Sequence, residues 1–245
     1  MRKTFAFLLL IALLALMLCA VSAADGSPDI VGRIEDGRYV LVVSLHEGQD
    51  WRADEAPEKG TAVRLVSSEI ADGKMTVCYE PVEDGSAVMT LSRYEGVALK
   101  ERHGFELVVR DGRIVENVSG YHTAAPEADD LAPHIVGKWQ EKVTQFVTMT
   151  VTEAPEGGFD AVIESPVSHG AYLVRAQLCC SLDDLVYENA RVYDLDGTGV
   201  VPEAPSRVDP RGSVRLITED GKFTGLVWTN GSGDTVEFER AVDSE

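Results

Sequence analysis

Residues 212–241, GSVRLITEDGKFTGLVWTNGSGDTVEFERA, contain three alternating apolar segments, 212–218, 222–229 and 234–241, separated only by Asp220-Gly221 and Gly231-Ser232-Gly233-Asp234. An Asp-Gly pair between such segments is the strongest short-range hairpin signal, because both positions tolerate the positive φ of a tight turn. Working back along the chain, five more candidates follow the same rhythm: 145–153, 158–165, 171–180, 184–188 and 190–194. Gly157-Gly158, Asp183-Asp184 and Asn189 sit in the gaps. Eight sequential strands make an up-and-down meander. A meander of that size tends to close, because closure removes its exposed edges. Residues 135–245 are therefore expected to form a small eight-stranded β-barrel.

The first half has the same period of two. Tyr39–Leu45, Thr61–Ser67, Lys74–Glu80, Ala87–Tyr94 and His103–Val109 read as strands, with Met75, Val77 and Tyr79 on one face and Phe105, Leu107 and Val109 on another. Asp-Gly pairs at 36–37, 72–73, 84–85 and 111–112 punctuate them. Short strands at this spacing indicate a β-sandwich over residues 24–121. Residues 122–134 break the alternation with two prolines among small and acidic residues, and read as a linker or a single short turn of helix.

The N-terminus indicates a compartment. Arg2 and Lys3 precede an uncharged apolar run from Phe5 to Leu18, and Val21-Ser22-Ala23 has the small-x-small form that a signal peptidase cuts after. Residues 1–23 are read as a secretory signal peptide with Ala24 as the mature N-terminus. A membrane span needs about 20 apolar residues, and this run is shorter. Leu18 before Cys19 departs from a bacterial lipobox, which puts a small residue there. The expected location is extracellular or in the cell envelope, with no membrane insertion after cleavage.

The full chain holds 22 Lys plus Arg and 41 Asp plus Glu, a formal net charge of −19. Cleavage removes two bases and no acid. The two halves are acidic to a similar degree, so the charge is a property of both domains. Such a field repels nucleic acid and anionic headgroups. Cys78, Cys179 and Cys180 remain after cleavage, and an odd count cannot all pair within one chain. They read as reduced, small apolar groups; the alternative is a bridge from Cys78 to one of the adjacent pair.

No catalytic or metal-binding pattern stands out. Asp194-Leu195-Asp196-Gly197-Thr198-Gly199 resembles a calcium loop in miniature, but position twelve of a full loop would be Pro205. The histidines, at 46, 103, 122, 134 and 169, form no His-x-x-x-His frame, and no Gly-x-Ser-x-Gly elbow occurs. No cofactor is expected. Trp51, in the polar stretch Gln49-Asp50-Trp51-Arg52, reads either as an exposed contact for a partner or as a ring folded back onto its own sandwich.

Gly137-Lys138-Trp139 before the barrel strands and Phe238-Glu239-Arg240 at their end resemble the lipocalin-type (calycin) arrangement. There a Gly-x-Trp opens the barrel and a late basic residue packs across the indole. The resemblance implies that Trp139 and Arg240 form a structural plug. Together with Met149-Thr150-Val151, Gly158–Ile163, Tyr187-Glu188-Asn189 and Leu226-Val227-Trp228, these residues resemble secreted two-domain proteins of gut clostridia and their relatives. The layout of the first module is similar to chagasin-like protease inhibitors, which are Ig-like sandwiches. Their Asn-Pro-Thr-Thr-Gly loop is absent, and His46–Trp51 occupies its place.

The expected function is non-catalytic binding outside the cell, in one of two forms. A small apolar ligand would occupy a barrel cavity lined by Ile163, Tyr172, Leu216 and Trp228, since an eight-stranded barrel can hold one small ligand. Alternatively, the barrel is filled and the protein is an interaction or protease-inhibitor-like module for a host or surface protein, with Trp51 on a protruding loop.

Overall fold

The computed structural model describes residues 30–166, 170–196, 200–220 and 222–241, so the expected signal peptide, with Cys19, lies outside the described residues. Among the described residues the protein is all-β apart from one short helix. It divides into two compact units: residues up to 93 with 102–122, and residues 94–101 with 123 onward.

In the first unit β1 (Ile30–Glu35), β2 (Arg38–Ser44), β6 (Lys74–Pro81) and β5 (Val63–Ala71) form one sheet in the order β1-β2-β6-β5. A second sheet runs β3 (Asp50–Ala53), β7 (Gly85–Glu95), β8 (Ala98–Arg110), β9 (Arg113–Ala124), with the two-residue β4 (Lys59–Gly60) also pairing β7. Strand alternation builds the core. On β2 and β6 the partners Tyr39–Tyr79, Leu41–Val77 and Val43–Met75 are all buried. They share a cluster with Trp51, Met89, Leu91, Leu107, Val109 and Ile114 from the other sheet. Burying each such aliphatic side chain contributes about 1.5–3 kcal/mol before the entropy cost.

Three of the Asp-Gly pairs in this unit are two-residue hairpin turns. Asp36-Gly37, Asp72-Gly73 and Asp111-Gly112 all have both φ angles positive, between 50° and 79°. This is the turn whose twist matches paired strands. Asp84-Gly85 differs. It connects β6 to β7, which lie in different sheets, and its Asp84 carboxylate accepts the Gly112 N–H at 3.1 Å.

The second unit is a closed antiparallel barrel of eight strands. These are β10 (Gly137–Glu141), β11 (Thr148–Glu153), β12 (Phe159–Ser165), β13 (Tyr172–Cys180), β14 (Leu185–Asp194), β15 (Arg207–Glu219), β16 (Lys222–Thr229) and β17 (Thr235–Arg240). Closure is made by β10 and β17, with Trp139 opposite Arg240. The strand count is as expected, but two strands differ. The Gly-x-Trp segment is itself the first strand, and the segments 184–188 and 190–194 are one strand. Asn189, at φ +54°, supplies an extra residue where the β13–β14 register shifts. Asn tolerates the left-handed region, so a bulge and a turn look alike in sequence.

The break at 122–134 holds the end of β9 and a helix, α1 (Ala128–Ile135). Ala128, Leu131, Ala132 and Ile135, spaced i, i+3, i+4 and i+7, face the barrel core. Residues 94–101 also belong with this unit: the Leu182 N–H donates to Leu99 O at 2.9 Å, and the Leu99 N–H to Ser181 Oγ at 3.1 Å. Cys78, Cys179 and Cys180 are free thiols, with Cys179 exposed and Cys180 buried.

Candidate functional site

One end of the barrel is closed by a single group of side chains. Trp139 is buried, and its indole N–H donates to Ile135 O at 2.8 Å. The Arg240 guanidinium carbon lies 4.3 Å from the centre of the indole ring. Its nitrogens donate to Val136 O and His134 O, both at 2.7 Å. Gly137 is required here: it has φ +134°, and a Cβ would stand 2.6 Å from the arginine Nη1. Tryptophan, arginine and glycine thus form one device that ties the end of α1 to the first and last strands.

Of the four residues expected to line a cavity, Ile163 and Trp228 lie in the barrel's buried cluster, and Tyr172 and Leu216 pack against it. Phe159, Leu178, Leu226 and Phe238 belong to the same buried cluster. Trp228 stacks on Tyr187 with ring centroids 4.4 Å apart. Gly212 makes room for that stack, since a Cβ there would meet the Tyr187 oxygen at 2.3 Å. The Tyr187 hydroxyl donates to Asp209 Oδ2 at 2.6 Å, and burial followed by that carboxylate raises the phenol pKa. This hydrogen bond therefore holds the Tyr187 ring in its stack on Trp228.

The connections after β10, β12, β14 and β16 leave from one end of the barrel, as an antiparallel meander requires. Two of them carry bare apolar side chains. Val143 is 84% and Phe146 60% exposed in the β10–β11 loop, and Val200 and Val201 are exposed in the β14–β15 loop. In the acidic segment that resembles a calcium loop, Asp194 pairs with Arg207 at 3.8 Å, and residues 197–199 lie outside the described residues. His169 lies outside them as well.

In the first unit the expectation of an exposed Trp51 is corrected. The residue is 2% exposed, because on β3 it alternates with the solvent-facing Asp50 and Arg52. Its indole N–H donates to Gln49 Oε1 at 3.2 Å, and its ring lies 5.5 Å from that of His103. His103 in turn stacks on His122, with centroids 4.3 Å apart and planes at 21°. The pairing comes from the adjacency of β8 and β9, not from a local His-x-x-x-His frame.

Elsewhere on this unit a concavity of about 480 Å³ is lined by Asp54, Glu55, Glu58, Thr90 and Arg102. Thr90 donates to the Asp54 carboxylate. Tyr121 donates to Glu58, and burial together with that carboxylate pushes its phenol up to about 12. The buried Nε of Arg102, by contrast, has no hydrogen-bond partner among the described residues. Among the described residues no helix is long and apolar enough to cross a membrane. Comparison with known proteins returns no matching family model, no matching curated protein and no matching solved structure.

Proposed function

We propose that this is an exported, non-catalytic binding protein that engages another macromolecule at its surface, with the barrel as a packed scaffold. The observation that carries this reading is the barrel's single buried cluster, which holds Ile163 and Trp228 and has Tyr172 and Leu216 packed against it. The apolar loop residues Val143, Phe146, Val200 and Val201 are the contact surface proposed for a protein partner.

The architecture supports the same reading. The orders β1-β2-β6-β5 and β3-β7-β8 correspond to the ABED and CFG sheets of an immunoglobulin constant-type sandwich, with β9 added beyond the last strand. A buried tryptophan on the third strand, here Trp51, is a hallmark of that fold. The Gly137, Trp139 and Arg240 device supports a lipocalin-like barrel. Domains of both kinds serve binding at the cell exterior, and the N-terminal leader fits export to that location.

The test is titration of the mature chain, Ala24 to Glu245, with a long-chain fatty acid and with an apolar fluorescent dye. No saturable change in tryptophan emission is expected. A stoichiometric, saturable change that is lost in Trp228→Ala would overturn the packed-scaffold reading in favour of a small-ligand carrier.

A further inference from the structure

We propose that His103 and His122 form a binding site for a borderline divalent transition-metal ion such as Zn²⁺ or Ni²⁺. The two histidines come from neighbouring strands, β8 and β9, and their rings are already in contact. Glu101, two residues before His103 on β8, adds a carboxylate. One ligand atom from each of these three residues lies within 4.8 Å of the other two.

The chemistry of the set selects the ion. Imidazole nitrogen favours Zn²⁺, Ni²⁺ and Cu²⁺, whereas Ca²⁺ and Mg²⁺ prefer a shell of oxygens. Bonds of about 2.0–2.1 Å in tetrahedral geometry place ligand atoms about 3.3 Å apart. The ligand atoms, within 4.8 Å of one another, would draw together onto the ion. His122 is exposed, while His103 lies beside the buried Trp51 ring. The site thus pairs an imidazole at the surface with one next to the core. Bound there, the ion would clip β9 to β8 and stabilise the folded chain by mass action.

The same geometry supplies a local reporter. Trp51, 5.5 Å from the His103 ring, is close enough for a paramagnetic ion at the site to quench its emission. Trp139 and Trp228 belong to the other unit.

The experiment uses the untagged mature chain, stripped of metal, with Cys179→Ser to remove the exposed thiol. Calorimetry with Zn²⁺ should give one equivalent per chain. The thermal midpoint should rise with Zn²⁺ and stay unchanged with equal Ca²⁺ or Mg²⁺. Ni²⁺ should quench part of the tryptophan emission, and that part should vanish in Trp51→Phe. Losing an outer-shell partner costs about 10–100-fold in metal affinity, so losing a ligand in His122→Ala should cost at least about tenfold. His103→Gln carries the same expectation, so the test survives if either variant folds poorly. Absence of saturable Zn²⁺ binding overturns the proposal. So does equal affinity in wild type and in a folded His122→Ala protein, which would place the ion on the general acidic surface.

Discussion

In the barrel, β10 bonds to both β11 and β17, so every strand has two neighbours; in the first unit β1 and β5 end one sheet, and β3 and β9 end the other. The exposed apolar residues follow that difference. In the first unit Val31, Ile34, Val66, Ile70, Val115, Val118 and Tyr121 lie on β1, β5 and β9, and Val82 alone of the exposed large apolar residues lies in a connection. In the barrel the most exposed, Val143, Phe146 and Val200, lie on loops with Val201, while Val208 and Phe223 lie near the strand ends of β15 and β16. An open sheet edge invites pairing with another chain, and charges discourage it. Arg33 and Glu35 on β1, Arg64 and Glu69 on β5, and Arg113 and Glu116 on β9 are placed to do so. Closure frees the barrel from that constraint and leaves its loops to carry apolar tips. The comparison suggests a division of labour, with a sealed unit that presents loops and an open unit that guards its edges.

The largest expected effect is at the plug. Trp139→Ala removes a fully buried indole together with its hydrogen bond and the surface beneath Arg240, and should cost about 3–5 kcal/mol. Trp51→Ala should cost a similar amount in the first unit. Following both variants by thermal melting shows whether the two units unfold together. An unchanged midpoint in Trp139→Ala would mean that closure does not depend on the plug.

Next comes Arg240→Met, which keeps the apolar stem but loses two hydrogen bonds and the contact with the indole face. A cost of about 1–2 kcal/mol in denaturant unfolding is expected. A smaller change would assign the closure to β10–β17 backbone pairing alone.

A third expectation concerns alkaline pH. Burial raises Tyr79, and burial followed by the Asp209 hydrogen bond raises Tyr187. A phenol raised on folding stabilises the protein fully below its ordinary value of 10.0, and that stability is lost as pH climbs through the folded value. Unfolding free energy should therefore be insensitive to these groups near neutrality and fall above pH 10. Tyr187→Phe should flatten the fall in the barrel, and Tyr79→Phe in the first unit. An identical alkaline profile in both variants and wild type would remove the phenols from the account.

The smallest effect is chemical. Cys179 faces solvent and Cys180 the barrel interior, where burial raises its thiol pKa. Brief alkylation of the native chain should label Cys179 and spare Cys180. Equal labelling would show that β13 opens readily.

The barrel was legible because its signals are local. Alternation, the glycine-containing turns and the Gly-x-Trp each lie within a few residues, and only the closing arginine stands apart, at the far end of the barrel sequence. The first strand escaped notice because Gln140 and Glu141 hide the alternation after Trp139. Asn189 was misread because a bulge and a turn use the same residue. In the first unit, β1 and β9 are edge strands with many polar residues, so their periodicity is weak. Trp51 was ambiguous because its neighbours Asp50 and Arg52 are polar, and only the partner sheet decides which face is inside. The histidine pair was latent in the Asp111-Gly112 turn. Counting outward from a two-residue hairpin brings position 122 level with 101, two places from 103. Extending that count required knowing that β9 continues to Ala124.

The most direct test of the packed barrel is native mass spectrometry of the mature chain, Ala24 to Glu245, exported by a bacterial host. The account predicts the mass of the polypeptide alone, as monomer or oligomer. A co-purifying small-molecule mass, lost on denaturation, would contradict it and make the barrel a carrier.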